Sequence, residues 1–148
     1  MKLTPQQMQD FKDEGYLVIE SLFDDDDLQP VIDDISAEID RLATELVASG
    51  ELSQTYANEG FTTRLSRITD ETDVVLKSVI AGKLATPGIF GLLTNPKLLD
   101  AMESIVGAEI IASSAYRIRP KVPGYSRGVV PWHQDSAFFE PYCDKSLI

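Results

Sequence analysis

Apolar residues recur at Ile32, Ile35, Ile39, Leu42 and Leu46, at spacings of 3, 4, 3 and 4 that lay one apolar stripe along a helix. The pattern predicts a helix from the aspartate run at 24–27 to about Ala48, stopped by Gly50. Four carboxylates just before such a run suit a helix N-terminus, through capping and the positive end of the helix dipole. A calcium loop would need alternating oxygen ligands, a central glycine and a glutamate at the twelfth place, and that glycine is missing. Pro30 either kinks this helix or marks its true beginning. The stripe spans barely two heptads, so packing on a domain core is a better use for it than a coiled-coil seam.

Upstream, Thr4 as cap, Pro5 at the first helical position and Gln7 three residues after the cap predict a short helix to about Glu14. Gly15 closes it, and Tyr16-Leu17-Val18-Ile19 reads as a strand rich in β-formers. Downstream, Glu51 to Gly60 reads as a polar loop, Thr62 to Ile68 as extended and Glu71 to Ile80 as a helix. Thr86-Pro87-Gly88 punctuates the chain, and Thr94-Asn95-Pro96 starts a further helix that Gly107 closes. Glu109 to Arg119 then has strand composition, Pro120 to Gly128 is loop, and Val129 to Asp135 is extended again. The order is helices first, strands last.

Charge divides the chain in the same place. The 148 residues carry a net charge of −11; residues 1–40 hold 12 acids and 2 bases, net −10, leaving −1 for the rest. That balance argues against nucleic acid or an anionic membrane as partner, since both need lysine and arginine. Ile110 to Gln134 reverses the trend, with Arg117, Arg119, Lys121 and Arg127 and no acid, so an anion is least unwelcome there. A hydrophobic fraction of 43% excludes a disordered acidic tail as the reading of the whole chain. The lone cysteine, Cys143, cannot close an internal disulfide. With a polar start and no long apolar run, a cytoplasmic protein is expected.

The only histidine, His133, stands two residues before Asp135. On a strand the two would share a face, with Trp132 and Gln134 on the other. One nitrogen and one oxygen ligand side by side make two-thirds of the facial triad that holds iron(II). By themselves the two residues fit equally a His–Asp hydrogen bond that fixes a loop.

Context decides between these readings. The chain resembles the phytanoyl-CoA dioxygenase family of iron(II)- and 2-oxoglutarate-dependent oxygenases in three stretches. They are Leu3-Thr4 to Gly15-Tyr16-Leu17-Val18-Ile19 with Leu22-Phe23, then Asn95-Pro96-Lys97-Leu98-Leu99 to Ile105-Val106-Gly107, and Trp132-His133-Gln134-Asp135-Ser136-Ala137-Phe138. The resemblance implies an α+β fold, with N-terminal helices packed on an incomplete double-stranded β-helix, or jelly-roll, core. It implies a single domain over residues 1–148, mainly helical at 1–108, with the first core strands and the His-x-Asp motif at 109–148.

It also implies iron(II) on His133 and Asp135, with 2-oxoglutarate as co-substrate and a small organic molecule hydroxylated. Family members often place a basic residue just before the motif, facing the co-substrate, which makes Lys121 the first candidate and Arg119 the second. The family's third iron ligand, a histidine on a late strand, and the arginine that follows it have no counterpart in this sequence. Two protein ligands hold iron weakly, so the 148 residues are expected to be a truncated N-terminal half, inactive or nearly so by themselves. Two other readings stay open: a non-catalytic acidic interaction protein, and one half of a split oxygenase whose open sheet edges favour self-association. A cysteine hydrolase using Cys143 and His133 lacks a recognisable nucleophile turn.

Overall fold

A computed structural model describes residues 2–80, 84–112 and 116–125. Six helices follow one another among them: α1 (Pro5–Glu14), α2 (Asp25–Ser49), α3 (Phe61–Thr69), α4 (Val74–Ile80), α5 (Pro87–Leu93) and α6 (Pro96–Val106).

Local chemistry sets the ends of the long elements. Thr4 and Gln7 form a reciprocal capping box on α1, and Asp24 and Asp27 form another on α2. Gly50, at φ 80°, takes the left-handed position that ends α2, its N–H bonding back to Leu46 and Val47. Pro30 lies inside α2 and neither starts nor stops it. Placed in the second turn, it forgoes one backbone bond, and the apolar stripe carries the helix past it.

That stripe is the floor of the core. Ile39, Ala43 and Leu46 are buried, Ile35 and Leu42 partly so, and they meet Leu65 and Ile68 of α3 and Val75, Leu76 and Val79 of α4. α5 packs along the first half of α2 more extensively than any other pair of elements. Its N-terminus is capped by tertiary structure: the Gly88 N–H donates to Asp34 Oδ2 of α2 at 2.7 Å, whereas the helix's own cap residue, Thr86, makes no side-chain capping bond.

The loop at 51–60 is pinned from two sides. Arg64, buried on α3, donates from Nε and Nη2 to the Thr55 carbonyl at 3.1 and 2.9 Å and pairs through Nη1 with Asp40 at 2.6 Å. Glu71 accepts from the Ser53 N–H, the Ser53 hydroxyl and the Tyr56 hydroxyl. These bonds, that from Tyr56 foremost, hold the Glu71 carboxyl below its usual range.

A polar clasp joins the starts of α2 and α6. Lys97 donates to Asp24 at 2.8 Å and to Asp27, and the Asn95 side-chain amide donates to Asp27 Oδ1 at 2.9 Å. The Lys97 bond first, then the Asp24 N–H and Asn95, keep the Asp27 carboxyl far below the usual carboxylate range. A depressed folded-state pKa contributes stability that is complete above the unfolded value of about 4 and is lost as pH falls through that value toward the folded one. The melting temperature is therefore expected to fall below about pH 4, and in Asp27→Asn to start lower and fall less steeply. Thermal melts from pH 6 to 2 check this; parallel curves for the two proteins would refute it.

The expected α+β fold is corrected by the structure. Among the described residues there is no strand and no sheet, so the jelly-roll core is not present in them. Tyr16 to Ile19 has β-forming composition but no partner to ladder with, and Tyr16 and Val18 stand 65% and 72% exposed. Thr62 to Ile68, read as extended, belongs to α3, whose buried Arg64, Leu65 and Ile68 fall on one helical face. Its threonines sit on the outer side, so their β preference is outweighed by the packing of that face. The described parts of 109–119 form no strand either: Ile118 packs on the helical core, whereas Ile111 stands 88% exposed with no neighbouring strand to cover it.

Candidate functional site

The segment 116–125 follows α6 and lies against the helical core with a period of two. Ile118, Val122 and Tyr125 pack on the core cluster, while Arg117, Arg119 and Lys121 are exposed. This alternation is that of an extended chain with one apolar and one cationic edge. The Tyr116 hydroxyl donates to the Leu84 carbonyl at 2.9 Å and straps the beginning of the segment down. At the other end, Pro123 and Gly124, the latter at φ 78°, make a turn closed by the Tyr125 N–H to the Val122 carbonyl at 3.2 Å. Proline followed by a left-handed glycine is what a type II turn requires.

Anchors at both ends therefore fix which way the cations face. Arg119 and Lys121, the two sequence candidates for the co-substrate, come to the same outward edge. Arg117 joins them there. The sequence reading counted it only as one charge of a basic segment, although the spacing 117, 119, 121 was the signal that groups the three.

The metal candidates His133 and Asp135 lie outside the described residues, as do Trp132 and Cys143. Among the described residues no group of three or more His, Cys, Asp or Glu side chains could hold a metal ion, and no helix is long and apolar enough to cross a membrane.

The family model described as Phytanoyl-CoA dioxygenase (PhyH) matches residues 11–147, nearly the whole chain. The chain belongs to the phytanoyl-CoA dioxygenase family. The match runs from the last turn of α1 through α2 to α6, the cationic edge and the His-x-Asp motif. Among curated relatives, ectoine dioxygenase of Bordetella parapertussis is 24% identical over 133 residues, covering 90% of this chain and 37% of the relative. A probable alpha-ketoglutarate-dependent hypophosphite dioxygenase of Stutzerimonas stutzeri is 28% identical over 134 residues, covering 90% and 42%. The chain thus spans about two fifths of the length of these family members. No solved structure matches it.

Proposed function

We propose that this member of the phytanoyl-CoA dioxygenase family serves an iron(II)- and 2-oxoglutarate-dependent oxygenase of a small molecule, supplying two metal ligands and the co-substrate's cationic contact. The observation that carries the reading is the cationic edge directly before the His-x-Asp motif, held outward by Ile118, Val122 and Tyr125 on the core. Membership of the family and relatives named as dioxygenases, one of them alpha-ketoglutarate-dependent, support it.

The donor set fits the metal: an imidazole nitrogen from His133 and a carboxylate oxygen from Asp135 are the ligand types that suit iron(II) with open positions. When bound, iron(II) supplies the redox centre at which dioxygen is activated and 2-oxoglutarate is converted to succinate. His133 contributes a neutral ligand, and Asp135 a negative charge that offsets part of the metal's. Lys121 supplies a charge-assisted hydrogen bond to a co-substrate carboxylate, worth roughly twice a neutral one. The rigid anchoring of its segment means that little side-chain and backbone order has to be created on binding.

Ligand-induced stabilisation tests this without turnover. Iron(II) plus 2-oxoglutarate under argon, at about ten times the dissociation constant, is expected to stabilise the chain by about 1.4 kcal/mol, a melting shift of roughly 3–6 °C. His133→Ala and Asp135→Ala should abolish the shift, and Lys121→Ala should raise the half-saturating 2-oxoglutarate about tenfold, the loss of about 1.4 kcal/mol. No shift in the wild type, or a shift that survives His133→Ala, would sink the proposal.

A further inference from the structure

The cationic edge holds more charge than one co-substrate can use. In an extended chain, residues two apart are separated by roughly 6.6 Å and residues four apart by roughly 13 Å. Lys121 and Arg117 therefore stand too far apart to grip the same carboxylate. The other described cations set the two arginines of this edge apart. Of the other described lysines and arginines all but Lys12, namely Lys2, Arg41, Arg64, Arg67, Lys77 and Lys97, lie within ion-pair distance of a carboxylate. Arg117 and Arg119 have no such partner among the described residues, in a chain with 24 acids to 13 bases. No acid occurs anywhere from 110 to 134. Two exposed guanidinium groups on one edge, with no carboxylate partner among the described residues of so acidic a protein, are open to an anion that comes from outside.

We infer that Arg117, with Arg119 beside it, binds a second oxyanion, the carboxylate or phosphorus oxyanion of the substrate itself, next to the co-substrate at Lys121. The inference rests on the proposed function for the word substrate, and deepens it: the molecule oxidised is an anion. A guanidinium presents paired N–H donors that match two oxygens of a carboxylate or phosphoryl group, which an ammonium cannot do. Arg117 is thereby a specificity-determining residue and takes no part in holding the metal.

The test follows the side-chain Nε–Hε resonance of Arg119 in the 15N-labelled, metal-free chain during titrations with inorganic phosphate and with acetate, against sodium chloride at equal ionic strength. Saturable shifts at millimolar concentration are expected, with half-saturation raised at least tenfold in Arg117→Gln and less than twofold in Lys121→Gln. Saturation by phosphate alone assigns a phosphorus oxyanion and by acetate alone a carboxylate. Linear shifts equal to those with chloride, or a half-saturation that Lys121→Gln raises as much as Arg117→Gln, would overturn the second site. Saturation here together with no melting shift from iron and 2-oxoglutarate would instead sink the proposed function and leave an anion site at Arg117.

Discussion

Gly88→Ala is expected to destabilise the protein by about 3 kcal/mol, toward the upper end of what overpacking costs. A Cβ at this position would meet the Pro30 carbonyl and Asp34 Oδ2 closer than Cβ atoms come in real proteins. The carboxylate can swing aside, at the expense of its 2.7 Å bond to the Gly88 N–H, a cap worth about 1 kcal/mol. The carbonyl cannot, because it belongs to the backbone of α2. α5 must therefore lift from the helix against which it packs most extensively. Gly91→Ala is the control: it lies on the same helix with nothing within 4 Å of a new Cβ, and should be neutral or stabilising by up to about 1 kcal/mol. Urea unfolding of both variants checks the pair, and equal midpoints would refute the close approach at Gly88.

Arg64→Met should lose about 2–4 kcal/mol, nearly as much as a buried ion pair broken on one side. The cause lies less in Asp40 than in Thr55. Asp40 is 60% exposed at its side chain and rehydrates when the arginine leaves, whereas the Thr55 carbonyl loses two donors at once. The coupling between Arg64→Met and Asp40→Ala in a double-mutant cycle is accordingly expected to stay below about 1 kcal/mol. Arg64→Lys should not rescue, since one ammonium cannot span the carbonyl and the carboxylate as the guanidinium fork does. Proteolysis within 51–60 should quicken in both variants, and a coupling above about 2 kcal/mol would refute this division of the energy.

The two kinds of signal in the sequence fared differently. The capping box at Thr4/Gln7, the helix start at the aspartate run 24–27, stops at Gly15, Gly50 and Gly107 and the start at Asn95-Pro96 appear in the structure where the residues place them. Each is a bond between groups a few residues apart, so the local chain suffices to specify it. The β-forming stretches did not become strands in the described residues. Strand formation needs hydrogen bonds from another segment, and composition says nothing about whether one is within reach. The error over Thr62 to Ile68 has a further cause: a buried arginine disguised the apolar face of α3, because its charge is compensated by Asp40 and Thr55, far from it in sequence.

The candidate site divides along the same line. His133 and Asp135 are legible as a motif in the sequence. That Arg119 and Lys121 face outward was not, since a slip of one residue would have turned both inward.

By itself, then, the sequence determined the boundaries of α1, α2 and α6, the long apolar stripe of α2, the concentration of acid before residue 41 and the spacing of the cations, all properties of neighbours along the chain. Only the tertiary structure decided that 118 and 122 are the partly buried, core-facing positions and 117, 119 and 121 the exposed ones. That choice is made by the helical core, which accepts Ile118, Val122 and Tyr125 and leaves the charges outside, because burying an unpaired guanidinium costs far more than burying an isoleucine returns.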